Sequence, residues 1–144
     1  EEALRPQAQL LALSDEPMCV WDLEQGIVLW NQGCERLYGF TKAEAIGRVS
    51  HELLHTVHPV SFAAFYAALL HDQQWTGEVR HTTRDGHEVI VESRHQLLER
   101  DGRWLVLEAN RDITARKQAE AALRDSEARN HAIFQTAADG IRPY

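Results

Sequence analysis

Two Asp-Gly pairs constrain this chain most. Arg84-Asp85-Gly86 and Arg100-Asp101-Gly102 interrupt a β-rich stretch and divide it into runs over residues 75–83, 88–98 and 104–111. Asp-Gly supplies the positive φ angles that tight hairpins need, so consecutive runs must fold back antiparallel. Parallel pairing would require long crossovers, for which there is no room. Upstream, residues 18–22 and 27–31 flank Glu24-Gln25-Gly26 and read as a further hairpin. Between the two β regions the signals are helical. Thr41 and Glu44 have capping-box spacing, and Gly47 ends that helix. A longer helix follows Pro59, which suits a first helical turn, with Phe62, Phe65, Tyr66, Leu69 and Leu70 on one stripe. The predicted class is α+β: a five-stranded antiparallel sheet with helices on one face.

Both ends carry further helical pattern. Leu4, Ala8, Leu10, Leu11 and Leu13 suggest a short amphipathic helix starting near Pro6 and stopped by Ser14-Asp15-Glu16-Pro17. From Asp112 onward, Ile113, Arg116, Ala119, Leu123, Ser126, Asn130, Ile133 and Ala137 recur by threes and fours, a heptad seam interrupted by polar groups. The net charge of −7 argues against a nucleic-acid groove, which needs clustered Lys and Arg. Cys19 and Cys34 match no CxxC spacing and suggest buried thiols in a reducing compartment. No apolar run approaches the length of a bilayer span.

Several local motifs then combine. Trp30-Asn31, Tyr38-Gly39-Phe40, Glu44 and Ile46-Gly47 are followed by Trp75-Thr76-Gly77-Glu78, Arg84-Asp85-Gly86 and Arg111-Asp112-Ile113-Thr114. In this order they resemble the PAS family over residues 5–114. The stretch 112–120 resembles a connector between tandem PAS domains of sensor histidine kinases. Ser126-Glu127-Ala128-Arg129, Ile133-Phe134 and Ala138-Asp139-Gly140-Ile141 resemble the opening of a second such domain, which stops before its first strand, as in a piece of a longer bacterial signalling protein. The resemblance implies a flanking helix over 1–14, a sensor domain over 15–112, a coiled-coil linker over 113–138 and a truncated second domain over 139–144. It further implies a pocket cupped by the sheet, a homodimer through the flanking helices, and output through Asp112, Ile113 and Thr114 into a kinase or a cyclic-dinucleotide enzyme. The expected setting is cytoplasmic, whether or not the parent is membrane-anchored. Asn31 is expected to tether backbone at a strand end, and Gly47 and Gly86 to serve turns.

Cofactor chemistry has weaker signals. The family's flavin-binding branch carries Gly-Arg-Asn-Cys where this chain has Gly47-Arg48-Val49-Ser50, so the photoreactive thiol is replaced by Ser50. The haem branch needs a histidine in the middle of the long helix, whereas His58 precedes that helix and His71 ends it. His51-Glu52-Leu53-Leu54-His55 spells HExxH, which on a helix puts two imidazoles on one face for zinc, with His58 as the nearest third ligand. The segment is short and bounded by Gly47 and Pro59, so a solvated helical turn is expected instead, with no catalytic residue, metal or cofactor. Alternation places Val89, Val91, Ser93 and His95 on one face of their strand, and Val106, Glu108 and Asn110 on one face of the last. With Phe65 and Tyr66 from the long helix, Ser93, His95, Glu108 and Asn110 are the candidate pocket residues. They either hold a small polar ligand of unknown identity or satisfy one another. A haem- or metal-dependent sensor and, more remotely, a zinc metalloprotease are the alternatives. No phosphoacceptor box or ATP-binding motif occurs, so no enzymatic activity is expected of this chain.

Overall fold

The computed structural model describes residues 14–140, with side chains described as far as residue 132. The helix expected over residues 1–14 and the tail 141–144 lie outside the described residues, apart from Ser14. The chain divides into two units, Glu1–Asp112 and Ile113–Tyr144.

The first unit runs β1 (Met18–Asp22), β2 (Gly26–Trp30), α1 (Gln32–Tyr38), α2 (Lys42–Ala45), α3 (Ser50–Leu53), α4 (Phe62–Asp72), β3 (Gln74–Thr82), β4 (Glu88–Arg100) and β5 (Arg103–Asp112). The five strands form one antiparallel sheet in the order β2-β1-β5-β4-β3. The meander follows from the turns. Asp101 (φ +53°) and Gly102 (φ +77°) make a two-residue connection between the paired Arg100 and Arg103, and the doubly positive φ matches the right-handed twist of the strands. Gly86 (φ +88°) sits in a loop closed by the Thr83 amide donating to the His87 carbonyl at 2.7 Å. Gly47 (φ +84°) turns the chain after α2, which starts with the expected box: Thr41 and Glu44 cap each other's backbone amides.

The inner face of the sheet meets the helices in one core, built around Cys19, Trp21, Ile27 and Trp30 from the first hairpin and Cys34, Tyr38, Leu53, Leu54, Phe65 and Leu69 from the helices. Both cysteines are buried free thiols. The neighbouring Cys34 thiol and then burial push the Cys19 thiol up from its ordinary value, so neither acidity nor access favours reactivity there. The long helix departs from expectation at its start. Pro59 lies outside it, and Ser61 is the cap, accepting from the Ala64 amide at 3.1 Å. Of its apolar stripe, Phe65 and Leu69 are buried, while Phe62 and Leu70 are 41% and 43% exposed.

In the second unit, α5 (Thr114–Gly140) is a single 27-residue helix that runs past the expected linker boundary at 138. Ile113 just before it is buried, Leu123 is 60% exposed, and Glu120 pairs with Arg116 and Lys117. Among the described residues, no helix is long and apolar enough to cross a membrane.

Candidate functional site

The site grows out of strand register. Pairing of β4 with β5 sets Ser93 opposite Asn110 and His95 opposite Glu108, all on the inner face and all buried. Asn110 Nδ2 donates to Glu108 Oε2 at 2.8 Å, which turns Asn110 Oδ1 toward Ser93, whose hydroxyl donates to it at 2.6 Å. The Ser93 proton is thereby used, and the His95 Nδ1 atom 3.3 Å away faces an oxygen lone pair. His95 Nε2 lies 3.1 Å from Glu108 Oε1, within hydrogen-bond distance of the carboxylate. Trp21, from β1, donates its indole N–H to the same carboxylate oxygen at 2.9 Å. Among the described residues, no buried side-chain polar atom is left without a partner. The four polar residues of β4 and β5 therefore satisfy one another.

Burial alone would raise the Glu108 carboxyl. The electrostatic influence of His95 and the hydrogen bonds from His95 and Asn110 overcome this and hold it well below the usual carboxylate range. Beside this network, the buried Tyr38 hydroxyl lies 2.8 Å from His81 Nδ1. Burial pushes the Tyr38 phenol well above its ordinary value and lowers His81 to about 4.

Glu108, His95, His81 and Trp21 floor a small cavity whose outer wall is Ser50, His51, Thr56, His58 and Phe65, with Val79 between. About 10 Å³ is open to the centre of a water molecule, enough for one water. The His58 ring stacks on Phe65 with centroids 4.1 Å apart, and Phe65 meets His95 at 5.1 Å. Burial lowers His58 to about 4 and also lowers His51.

Of the sequence candidates, Phe65, His95 and Glu108 line the cavity, Ser93 and Asn110 lie in the network behind it, and Tyr66 packs against the core without reaching it. The HExxH geometry does not arise. α3 ends at Leu53, and His55 turns away at φ +46° and is exposed, so His51 and His55 share no helical face. His51 is not a solvated residue either: it is half-buried against Phe62. His58, set aside because it precedes the long helix, lies in the cavity wall. Sequence reasoning also passed over His81, Trp21 and Tyr38. Alternation through Val79 was the available signal for His81, since both are buried on the inner face of β3. Among the described residues, no three His, Cys, Asp or Glu side chains converge as a metal site.

Asn31 ties together the start of the unit. Its Oδ1 accepts from the Met18 and Cys34 amides, both at 2.9 Å, and its Nδ2 donates to the Glu16 carbonyl at 2.8 Å. The other end is adjacent, because the Asn110 amide donates to the Pro17 carbonyl at 2.8 Å. Asp112, opposite Val91, is the last residue of β5, and after Ile113 the helix begins at Thr114.

The fold has known relatives. The family model described as PAS fold matches residues 27–110. The crystal structure of the PAS domain of a protein from Colwellia psychrerythraea is 30% identical, with a TM-score of 0.65, covering 78% of this chain and 98% of that one. A PAS domain from a two-component sensor histidine kinase is 13% identical, with a TM-score of 0.66 and coverage of 77% and 96%. An RNA-binding light-oxygen-voltage receptor is 21% identical, with a TM-score of 0.72, covering 93% of this chain but 40% of the receptor, so this chain spans under half of it. No curated protein sequence matches. A family match over more than half of the chain, on a sheet of this order and register, establishes that the chain belongs to the PAS fold family.

Proposed function

We propose that the chain is the sensory and dimerising module of a multidomain bacterial signalling protein, a sensor histidine kinase, working in the cytoplasm without a catalytic residue or cofactor of its own. Its input is a small ligand or a partner acting at the cavity. Its output passes through Asp112, Ile113 and Thr114 into α5, which pairs with a second copy as a coiled coil. The observation that carries this reading is the hydrogen-bonded line from the cavity floor along β5. Glu108 lines the cavity, Asn110 is bonded to it, and Asp112 ends the strand two residues later. The likeness to a PAS domain from a sensor histidine kinase supports the output assignment.

Asn110→Leu tests the relay, because it removes the side-chain link while keeping the backbone donor to Pro17. The expected result is a folded parent protein whose output no longer follows the stimulus. A normal response would refute the relay. Mass spectrometry of small molecules released from natively purified protein would identify the ligand, and the purified chain is expected to be colourless, since Ser50 stands where the flavin branch has its cysteine. Four histidines, His51, His58, His81 and His95, line the cavity and motivate a metal-dependent sensor as the second reading, which metal analysis of the same preparation decides.

A further inference from the structure

Residues 51–62 form the outer wall of the cavity, and their two halves are held differently. The first half is anchored: Leu53 and Leu54 are buried, and the Leu54 carbonyl accepts from the Thr82 amide at 2.7 Å. After His55, whose left-handed backbone is strained for a residue with a Cβ, the hold is slight. Val57 makes one isolated bridge to β3, donating to the Arg80 carbonyl at 2.9 Å and accepting from its amide at 3.0 Å. Val57, Val60 and Phe62 are 57%, 49% and 41% exposed, so little apolar burial holds this stretch. The tightest remaining contacts are two ring pairs, His58 on Phe65 at 4.1 Å and His51 on Phe62 at 4.3 Å, with His58 also edge-on to Phe62 and Trp75 at 5.9 Å.

Both contacts are made by titratable rings. His58 faces His51 and the exposed Glu52 from α3, Phe62 and Phe65 from α4, Trp75 and His81 from β3, His95 from β4 and Glu108 from β5. The one buried anion in that set, Glu108, already accepts from Trp21, His95 and Asn110. A proton arriving on His58 would therefore create a half-buried cation whose one buried anionic neighbour is already engaged.

We propose that residues 55–62 are a proton-gated lid over the cavity, closed while His58 and His51 are neutral and released when they take up protons. This adds regulation to the cavity on which the sensory reading rests. In the closed form, burial holds His58 at about 4. In an open form its ring is solvated and returns to about 6.5. The open form thus binds more protons between those two values, and opening must increase as pH falls through that window and level off outside it. For His58 alone, the opening equilibrium rises about 20-fold between pH 7 and pH 5.

The test is amide hydrogen exchange on the whole chain at pH 7, 6 and 5, corrected for intrinsic exchange rates, with His58 titrated by imidazole NMR in the same samples. Protection of the Val57 and Arg80 amides is expected to fall about 20-fold over this range and, at each pH, to stay well below that of amides in the centre of β5, which open only when the whole unit unfolds. In His58→Gln the drop should largely vanish, and in the His58→Gln/His51→Gln pair it should be absent. Unchanged protection at the bridge overturns the lid, as does a drop that survives in the double variant or a bridge no less protected than the centre of β5. If the variants do not fold, a His58 midpoint at 6.5 with the bridge still protected overturns it from the natural protein alone. None of these readouts involves output of the parent, so a failed relay and a failed lid give separate results.

Discussion

Glu108 accepts hydrogen bonds from Trp21, His95 and Asn110 on the buried face of the sheet, so removing its carboxylate orphans several buried donors at once. Glu108→Ala is expected to cost about 3–5 kcal/mol, the range for breaking a buried charge pair from one side. A His95→Leu/Glu108→Leu pair should cost less than the sum of the two single changes, because each single change leaves the other buried polar group without its partner. Urea unfolding of the four proteins measures this coupling, and simple additivity would show that the pair is not a unit. The same residues set the pH dependence. His58 and His81 are held at about 4 by burial, so the unfolded chain binds protons that the folded one refuses between about 6.5 and 4, and stability falls with pH in that window. Glu108 is depressed, so its contribution is present above the ordinary carboxylate value and is lost below it, steepening the fall in acid. The urea midpoint should decline from pH 7 to 5 and flatten on removal of His81. A midpoint constant over that range would contradict both histidine assignments.

At the scale of elements, α1 shows local preference and packing pulling in opposite directions. Gly33 lies in its first turn, where Ala is the better helix former by at most about 1 kcal/mol. A Cβ there would sit 2.5 Å from the Asp15 carbonyl oxygen and 2.7 Å from the Glu16 carbonyl carbon. That backbone has little room to retreat, because Asn31 Nδ2 holds the Glu16 carbonyl at 2.8 Å. Overpacking of this kind costs about 1–3 kcal/mol, so Gly33→Ala should destabilise the unit despite the helix preference. An unchanged or higher urea midpoint would mean that residues 14–16 are not pinned. The same contrast explains what could be read from the sequence. Asp101-Gly102, Gly86 and the Thr41–Glu44 box are settled by their own few residues, and the structure has them where the pattern puts them. Inward facing of Ser93, His95, Glu108 and Asn110 was legible as a period of two. Which groups they bond was not, because Trp21 lies 87 residues from Glu108 in sequence. Pro59 misled because a proline suits the first turn of a helix but equally suits the extended stretch before a Ser cap. His58 and His51 reach the cavity only through the path of the chain after α3, and no periodicity encodes that path.

At the scale of the whole molecule, α5 carries the strongest demand for a partner. Its 27 residues span about 40 Å, and the only large apolar side chain described along it, Leu123, is 60% exposed in the single chain. A helix so polar all round persists through ion pairs such as Arg116 and Lys117 with Glu120, or through a second helix. Exposed ion pairs of this type contribute only about 0.3–0.5 kcal/mol each, too little to hold a helix of this length by themselves. In the proposed dimer, pairing of two copies along Ala119 and Leu123 would be the remaining source, and Arg116, Ser126 and Asn130 in the same seam would fix its register while weakening it. The chain should therefore sediment as a dimer, and Leu123→Arg should yield a monomer whose PAS unit melts as before. A natural chain that remains monomeric at high micromolar concentration would remove the dimer from the proposed function. Ser126→Leu/Asn130→Leu pushes the other way. It replaces the polar seam positions by apolar ones, so melting of the helix should rise while the first unit is unaffected. A small input can bias only an element whose two states lie close in free energy, so a tightened seam should also blunt the response of the intact parent. If the double variant melts higher yet responds to stimulus as the natural protein does, α5 is a spacer and the signal leaves by another route.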